Sequence, residues 1–81
     1  MTRRRSRMEI YLDLLDAIGH GRRKITHIFY ACNLDWTSAI KYLKHLQAKH
    51  LVKVIDNEWF LTEEGHIALK HGVDFKWAVF P

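Results

Sequence analysis

The sequence is poor in the features that mark secreted or membrane-bound chains. Its single cysteine, Cys32, excludes an internal disulfide and suits a reducing compartment. Its single proline is the last residue, so no proline interrupts a helix. No apolar run approaches the roughly 18 residues that a membrane helix needs, and residues 1–5 lead into no apolar secretory core. We therefore expect a soluble cytoplasmic protein, nucleoid-associated or, if viral, in the host cytoplasm, with no membrane partner.

The length of the chain, 81 residues, predicts a single domain. Apolar residues make up 48% of it and charged residues 27%, a balance that is typical of a folded chain and argues against disorder. We expect three parts within this domain: a basic arm over residues 1–6, a folded core over 7–71 and an aromatic tail over 72–81.

Positive charge is concentrated in the first two thirds of the chain, which carries a net charge of +4 overall. Residues 1–24 hold seven Lys and Arg against three acids, residues 25–54 hold four against one, and residues 55–81 hold two against five. A basic surface with an acidic remainder favours an oriented polyanion partner such as DNA or RNA. The alternative is that the charge serves solubility alone.

The first half of the chain predicts two helices. Ser6 and Glu9 have the spacing of a capping box, so the first helix is expected from Arg7 to Ile18, where Gly19 and Gly21 end it. Its apolar face comprises Tyr11, Leu14, Leu15 and Ile18. A second, short helix is expected over residues 26–32, after which Asp35 is placed to cap a third.

The third helix, expected over residues 36–50, has two faces of different character. The predicted buried side holds Trp36, Ala39, Leu43, Leu46 and His50, with Ile40 at its edge. Trp36 is expected to be partly buried, and the alternative is that it stacks on or braces DNA. The predicted outer side holds Thr37, Ser38, Lys41, Lys44, His45, Ala48 and Lys49. The outer side contains no acid, whereas an ordinary solvated helix face mixes both signs so that opposite charges pair. This pattern indicates a surface for phosphates and base edges.

The second half predicts a hairpin and a short helix. Residues 51–55 and 58–61 read as two strands joined by a tight turn at Asp56-Asn57. One of Trp59 and Phe60 is expected in the core and the other more exposed. Thr62 is expected to cap a helix that Gly72 ends and to which Ile67 and Leu69 supply apolar contacts. The predicted fold class is α+β, mainly helical: a winged helix-turn-helix with three helices, a two-stranded β-hairpin wing and a short C-terminal helix.

Five segments resemble the small archaeal winged-helix proteins, and the similarity runs over roughly residues 3–69. They are Arg5-Ser6-Arg7-Met8-Glu9-Ile10, Thr26-His27-Ile28-Phe29-Tyr30-Ala31-Cys32-Asn33-Leu34, Tyr42-Leu43-Lys44-His45-Leu46, Leu51-Val52 and Leu61-Thr62-Glu63-Glu64-Gly65. The resemblance implies a DNA-binding module, often dimeric, of the kind found in archaeal transcription regulators, chromatin-like proteins and archaeal viruses. Members that dimerise through a long C-terminal coiled coil differ from this chain, which has only twelve residues after Leu69, interrupted by Gly72.

These features predict a double-stranded DNA-binding protein, a transcription regulator or architectural factor, with its third helix in the major groove. The residues expected to contact base edges are Thr37, Ser38 and Lys41, and those expected to reach phosphates are Lys44, His45 and Lys49. Further contacts are expected from the arm, Arg3, Arg4 and Arg5, and from the loop, Arg22, Arg23 and Lys24. A disordered arm and an ordinary charged loop are the alternatives. Asp56 and Glu58 would repel phosphates, so a weak wing contact is expected.

The aromatic tail predicts a protein interface. Phe75, Trp77 and Phe80 are costly to leave in water, so they are expected to bury against their own domain or against a second copy in a homodimer. An alternative function is therefore a protein–protein interaction module that uses this tail. RNA is a further partner that charge alone does not separate from DNA.

We expect neither catalysis nor a cofactor. The sequence holds no phosphate-binding glycine loop and no nucleophile–base pairing, and nothing points to a small-molecule ligand. No metal site is predicted, because His45/His50 and His66/His71 are each five residues apart rather than three or four. Cys32 is expected to be a small buried hydrophobe.

Overall fold

A computed structural model describes residues 6–71 as four helices and a two-stranded antiparallel sheet. The elements are α1 (Arg7–Gly19), α2 (Ile25–Ala31), α3 (Trp36–Ala48), β1 (Val52–Ile55), β2 (Glu58–Leu61) and α4 (Glu63–Lys70). This order confirms the predicted mainly helical α+β class and the winged-helix architecture. In it α2 and α3 form the helix-turn-helix pair, and the β1–β2 hairpin is the wing.

Three helices begin at side-chain caps that the sequence predicted. At α1, the Glu9 backbone N–H donates to Ser6 Oγ at 3.1 Å, and the Ser6 N–H donates to Glu9 Oε1 at 3.0 Å. At α4, Thr62 Oγ1 accepts from the Gly65 N–H at 3.0 Å, and Asp35 caps α3 in the same way. Each cap satisfies an amide that has no partner within its own helix, which fixes where the helix starts.

Three helices are each followed, two residues after their last residue, by a residue in the left-handed region. The residues are Gly21, Asn33 and His50, with φ values of 102°, 54° and 61°. After α3, the Leu51 N–H donates to the Leu46 carbonyl at 3.0 Å and the His50 N–H to that of Gln47 at 3.0 Å, which is a Schellman motif. Because this motif terminates α3 at Ala48, the predicted extension of the helix to residue 50 was wrong.

The core lies between α1, α3 and the hairpin. Its largest fully buried side chains are Tyr11, Leu14, Leu15, Ile18, Ile28, Leu43, Leu46 and Leu51. All four residues of the predicted α1 face are among them, and Cys32 is buried as expected. Since each fully buried aliphatic side chain contributes about 1.5–3 kcal/mol, this cluster fixes how the helices lie against one another.

The hairpin has the predicted strands and turn. Its register pairs Val52 with Leu61 and Ile55 with Glu58. Asp56 and Asn57 have φ values of 51° and 63°, as a type I′ turn requires at both central positions. Trp59 is buried and Phe60 half-buried, so the expectation that one ring enters the core is confirmed.

Three residues expected on the core side of their helices are exposed. Trp36 is 52% exposed because, as the first residue of α3, it meets the ring of Phe29 on α2 rather than the core. His50 is exposed because it lies in the left-handed turn beyond α3. Ile67 is 52% exposed because α4 turns Gly65 and Ala68 to the core, and Ile67 lies about 200° around the helix from Gly65.

Replacing His50 with glycine should raise the free energy of unfolding by about 0.5–1 kcal/mol, because glycine adopts the left-handed conformation without a steric penalty. The hydrogen bond from Thr62 Oγ1 to the His50 carbonyl, 2.6 Å, involves only the backbone of residue 50 and is retained. Urea denaturation measures the change. His50→Ala, which keeps the Cβ, is the control and should not stabilise; equal stabilisation by both variants would contradict the prediction.

Candidate nucleic-acid interface

Helix α3 presents a cationic stripe to solvent because its opposite side is anchored in the core. Ala39, Leu43 and Leu46 have no exposed surface. The exposed stripe, which we call the lysine stripe, consists of Thr37, Lys41, Lys44 and Ala48. No acid lies anywhere in α3, so nothing within the helix neutralises the two lysines.

The predicted contact Ser38 lies at the border of the lysine stripe and is half-buried. Its backbone N–H donates to Asp35 Oδ2 at 3.3 Å. Hydrogen bonds from the side chain and the backbone of Ser38 lower the pKa of the Asp35 carboxyl below its ordinary value of 3.8. The carboxylate therefore stabilises the start of α3 at and above pH 3.8, and this contribution is lost as the pH falls through the lower pKa of the folded state.

His45 differs from the expectation of a solvent-facing phosphate contact. It is half-buried, and its Nδ1 is hydrogen bonded to the Tyr11 hydroxyl oxygen at 2.8 Å. Burial raises the pKa of Tyr11, so its hydroxyl keeps the proton that it can donate. The Tyr42 ring lies edge-on to Tyr11, with ring centroids 5.1 Å apart. These contacts join α1 to the flank of α3 and fix the rotation of the lysine stripe.

Arg23 is half-buried and hydrogen bonded within the fold, whereas the sequence suggested a phosphate contact. Its Nη1 donates to the carbonyls of Ile18 and Trp59, each at 3.0 Å, and its guanidinium lies 4.4 Å from the centroid of the Phe60 ring. The Trp59 N–H in turn donates to the Arg23 carbonyl at 2.9 Å. Arg23 therefore fastens the end of α1 to the wing.

The other predicted contacts in α3 and the loop have different surroundings. Arg22 and Lys24 are exposed, and Lys24 Nζ lies 3.6 Å from Glu58 Oε2. Lys49, the C-cap of α3, is half-buried. Of the twelve predicted DNA contacts, the structure thus brings Thr37, Lys41 and Lys44 together on one exposed stripe.

Sequence reasoning missed an aromatic cluster beside the lysine stripe, which we call the corner aromatics: Phe29, Tyr30 and Trp36. Tyr30 is 75% exposed and Trp36 is 52% exposed. The rings of Phe29 and Tyr30 stack with centroids 4.9 Å apart, and Trp36 meets Phe29 edge-on at 5.6 Å. The sequence pattern that could have predicted this cluster is the pair Phe29-Tyr30 before the turn together with Trp36 just after Asp35. The helical wheel instead favoured a partly buried position for Trp36.

The remaining predicted site residues lie outside the described residues: Arg3, Arg4 and Arg5 of the arm, and Phe75, Trp77 and Phe80 of the tail. Within residues 6–71, no group of three or more His, Cys, Asp and Glu is arranged to hold a metal ion. Over the same range, no helix has the length and apolar character to cross a bilayer.

An open depression of about 450 Å³ lies between α1 and α2. Its lining residues are Asp13, Asp16, Ala17, His20, Arg22 and Ala31. None of them belongs to α3, and the two carboxylates disfavour a phosphate there. The lysine stripe is therefore the better candidate for a polyanion.

The arrangement is that of a winged helix-turn-helix protein, and the chain belongs to that family. The family's model matches residues 4–77. Among solved structures, the chain is similar to Sso10a-2, a DNA-binding protein from Sulfolobus solfataricus, with a TM-score of 0.71 and 26% identity. That match covers 88% of this chain and 78% of the other.

Two uncharacterised proteins of Methanocaldococcus jannaschii are also similar to the chain. One is 36% identical over 62 residues, which is 76% of this chain and 64% of that protein. The other is 30% identical over 67 residues, which is 83% of this chain and 32% of that protein. The chain thus spans less than two thirds of the length of either relative. The predicted resemblance to archaeal winged-helix proteins is confirmed.

Replacing Arg23 with alanine should lower the free energy of unfolding by about 2 kcal/mol, because two carbonyls lose a charged donor and Phe60 loses its cation. Arg22→Ala removes the same charge from an exposed side chain and should change stability by less than about 0.5 kcal/mol. Denaturant unfolding of both variants measures the difference. Equal effects would show that Arg23 does not fasten the wing.

Proposed function

We propose that the chain binds double-stranded DNA by laying the lysine stripe of α3 in the major groove, as a transcription regulator or architectural factor. The groove is wide enough for one helix, and its base edges differ for each base pair. The role is binding rather than catalysis. We place the protein where its DNA partner lies, in the cytoplasm of a cell or of a virus-infected host.

The observation that carries this proposal is that the lysine stripe faces solvent while the opposite side of α3, Ala39, Leu43 and Leu46, is buried in the core. Thr37 and Lys41 stand in the first two turns of α3, the end with which recognition helices usually meet bases. Lys44 follows one turn after Lys41 and is suited to a phosphate. Membership of the winged helix-turn-helix family and similarity to a DNA-binding protein support the same function.

Two residues first expected at phosphates receive another role in the proposal. His45 acts through Tyr11 as a positioning residue for α3, and Arg23 holds the wing. Ser38 and Lys49 border the surface, while Arg22, Lys24 and the arm residues Arg3, Arg4 and Arg5 supply backbone contacts. The wing adds little, because the exposed Asp56 at its tip repels phosphate.

Reversing the charge of Lys41 should weaken duplex binding by about tenfold or more, because the lysine stripe then carries an acid against the DNA backbone. Fluorescence anisotropy with a labelled duplex measures the affinity. The matched control is Lys70→Glu, which makes the same charge change on the exposed side of α4. If Lys41→Glu and Lys70→Glu weakened duplex binding equally, α3 would not be the part of the protein that contacts DNA.

The salt dependence of the same affinity tests the phosphate contacts. With about six phosphates neutralised per protomer, the slope of log K against log salt should be near −5. Removing one lysine contact should reduce that slope by about 1. An affinity that is flat between low and moderate salt would contradict DNA binding through this surface.

We further propose a homodimer that buries Phe75, Trp77 and Phe80. A two-fold axis would set two α3 helices on successive major grooves, about 34 Å apart. Analytical ultracentrifugation of the chain and of a form ending at Gly72 tests this. We expect the full chain to sediment as a dimer and the shortened form as a monomer. The same oligomeric state for both forms would contradict a dimer interface formed by the tail.

A further inference from the structure

Two of the corner aromatics, Tyr30 and Trp36, are exposed, and the third, Phe29, is half-buried. Tyr30 is 75% exposed in the last turn of α2, and Trp36 is 52% exposed at the first position of α3. Large rings left in water are costly and mark places where something binds. Neither exposed ring belongs to the core cluster of the described residues.

Phe29 contacts both exposed rings. Its ring stacks on Tyr30 with an interplanar angle of 28°, so one face of Tyr30 is occupied and the other faces outward. Trp36 stands nearly perpendicular to Phe29, at 84°. The turn between them is closed by the Leu34 N–H, which donates to the Phe29 carbonyl at 3.0 Å. A ligand that stacks on Tyr30 therefore meets a ring that already packs against Phe29, and such preorganisation lowers the entropy cost of binding.

The position of the rings identifies the ligand as nucleic acid. Trp36 is the first residue of α3 and immediately precedes Thr37, so the corner aromatics lie at the end of α3 at which the lysine stripe begins. A flat ring beside a cationic track is the combination by which proteins hold unpaired nucleotides, whose bases stack regardless of sequence. A specific protein interface buries about 800 Å² on each partner, far more than two rings supply.

We propose that Tyr30, ordered by Phe29 and flanked by Trp36, is a stacking platform for an unpaired base adjoining the duplex on the lysine stripe. The base extends the Phe29–Tyr30 stack on its open side. Inside a duplex both faces of each base are already covered, so the platform takes only a base at an end, an overhang or an opened pair. This inference rests on the proposed function of α3.

The test compares two labelled probes, a fully paired duplex and the same duplex with a short single-stranded overhang. The full chain should bind the overhang probe about tenfold more tightly, within the range that stacking on an aromatic side chain gives. Tyr30→Ala should abolish this preference and leave the affinity for the paired duplex unchanged. Tyr30→Phe should keep the preference, because the ring rather than the hydroxyl carries the stacking.

The matched controls are Ile55→Ala and Ile67→Ala, which remove apolar side chains that are 51% and 52% exposed elsewhere on the surface. Both should retain the preference. Equal affinity of the full chain for the two probes, or a preference that survives Tyr30→Ala, would overturn the platform while leaving duplex binding by α3 intact. Loss of self-association in Tyr30→Ala without DNA would also overturn it, by assigning the rings to a protein contact. A chain that binds neither probe would refute the proposed function itself.

Discussion

The burial of one side of α3 is the constraint on which the rest of the molecule depends. Ala39, Leu43 and Leu46 have no exposed surface, and rotating the helix would bring them into water while forcing Lys41 and Lys44 into an apolar core. Burying an uncompensated lysine costs far more than any surface interaction returns. The lysine stripe therefore faces solvent because the core admits no other orientation. The proposed interface is thus a consequence of packing on the opposite side of the same helix.

The core sets the approximate orientation of α3, and polar contacts at the borders of the helix fix it more closely. The hydrogen bond between Tyr11 and His45 fixes the flank next to α1, and Asp35 and the left-handed His50 fix the two ends. Arg23 fastens the wing to the end of α1. Some basic and aromatic residues of this small domain therefore hold its elements together through contacts within the fold, and others are exposed to solvent. Charge or aromatic character alone does not tell the two groups apart.

The corner aromatics and the lysine stripe offer two chemistries side by side. Lysines interact with phosphates over a distance set by the salt concentration, without regard to the state of the bases. An ordered ring acts only at contact and only on a base with a free face. A protein that carries both on adjoining surfaces can bind duplex generally and still distinguish places where pairing ends. The proposed platform would thus add discrimination of DNA structure to the duplex binding proposed for the lysine stripe.

The sequence by itself determined the element order, the caps at Ser6, Asp35 and Thr62, the Asp56-Asn57 turn and the split of α3 into an apolar and a cationic side. These features follow from local spacing, because helix caps, tight turns and amphipathic faces involve residues close together in the chain. Only the tertiary structure decided that His45 and Arg23 have partners in the fold, that Trp36 is exposed and that α3 ends before Lys49. Tyr11 is 34 residues from His45, and Trp59 is 36 residues from Arg23, so no local sequence pattern predicts either contact. Helical periodicity places a side chain around an axis, but the neighbouring helix decides how much of that side is covered.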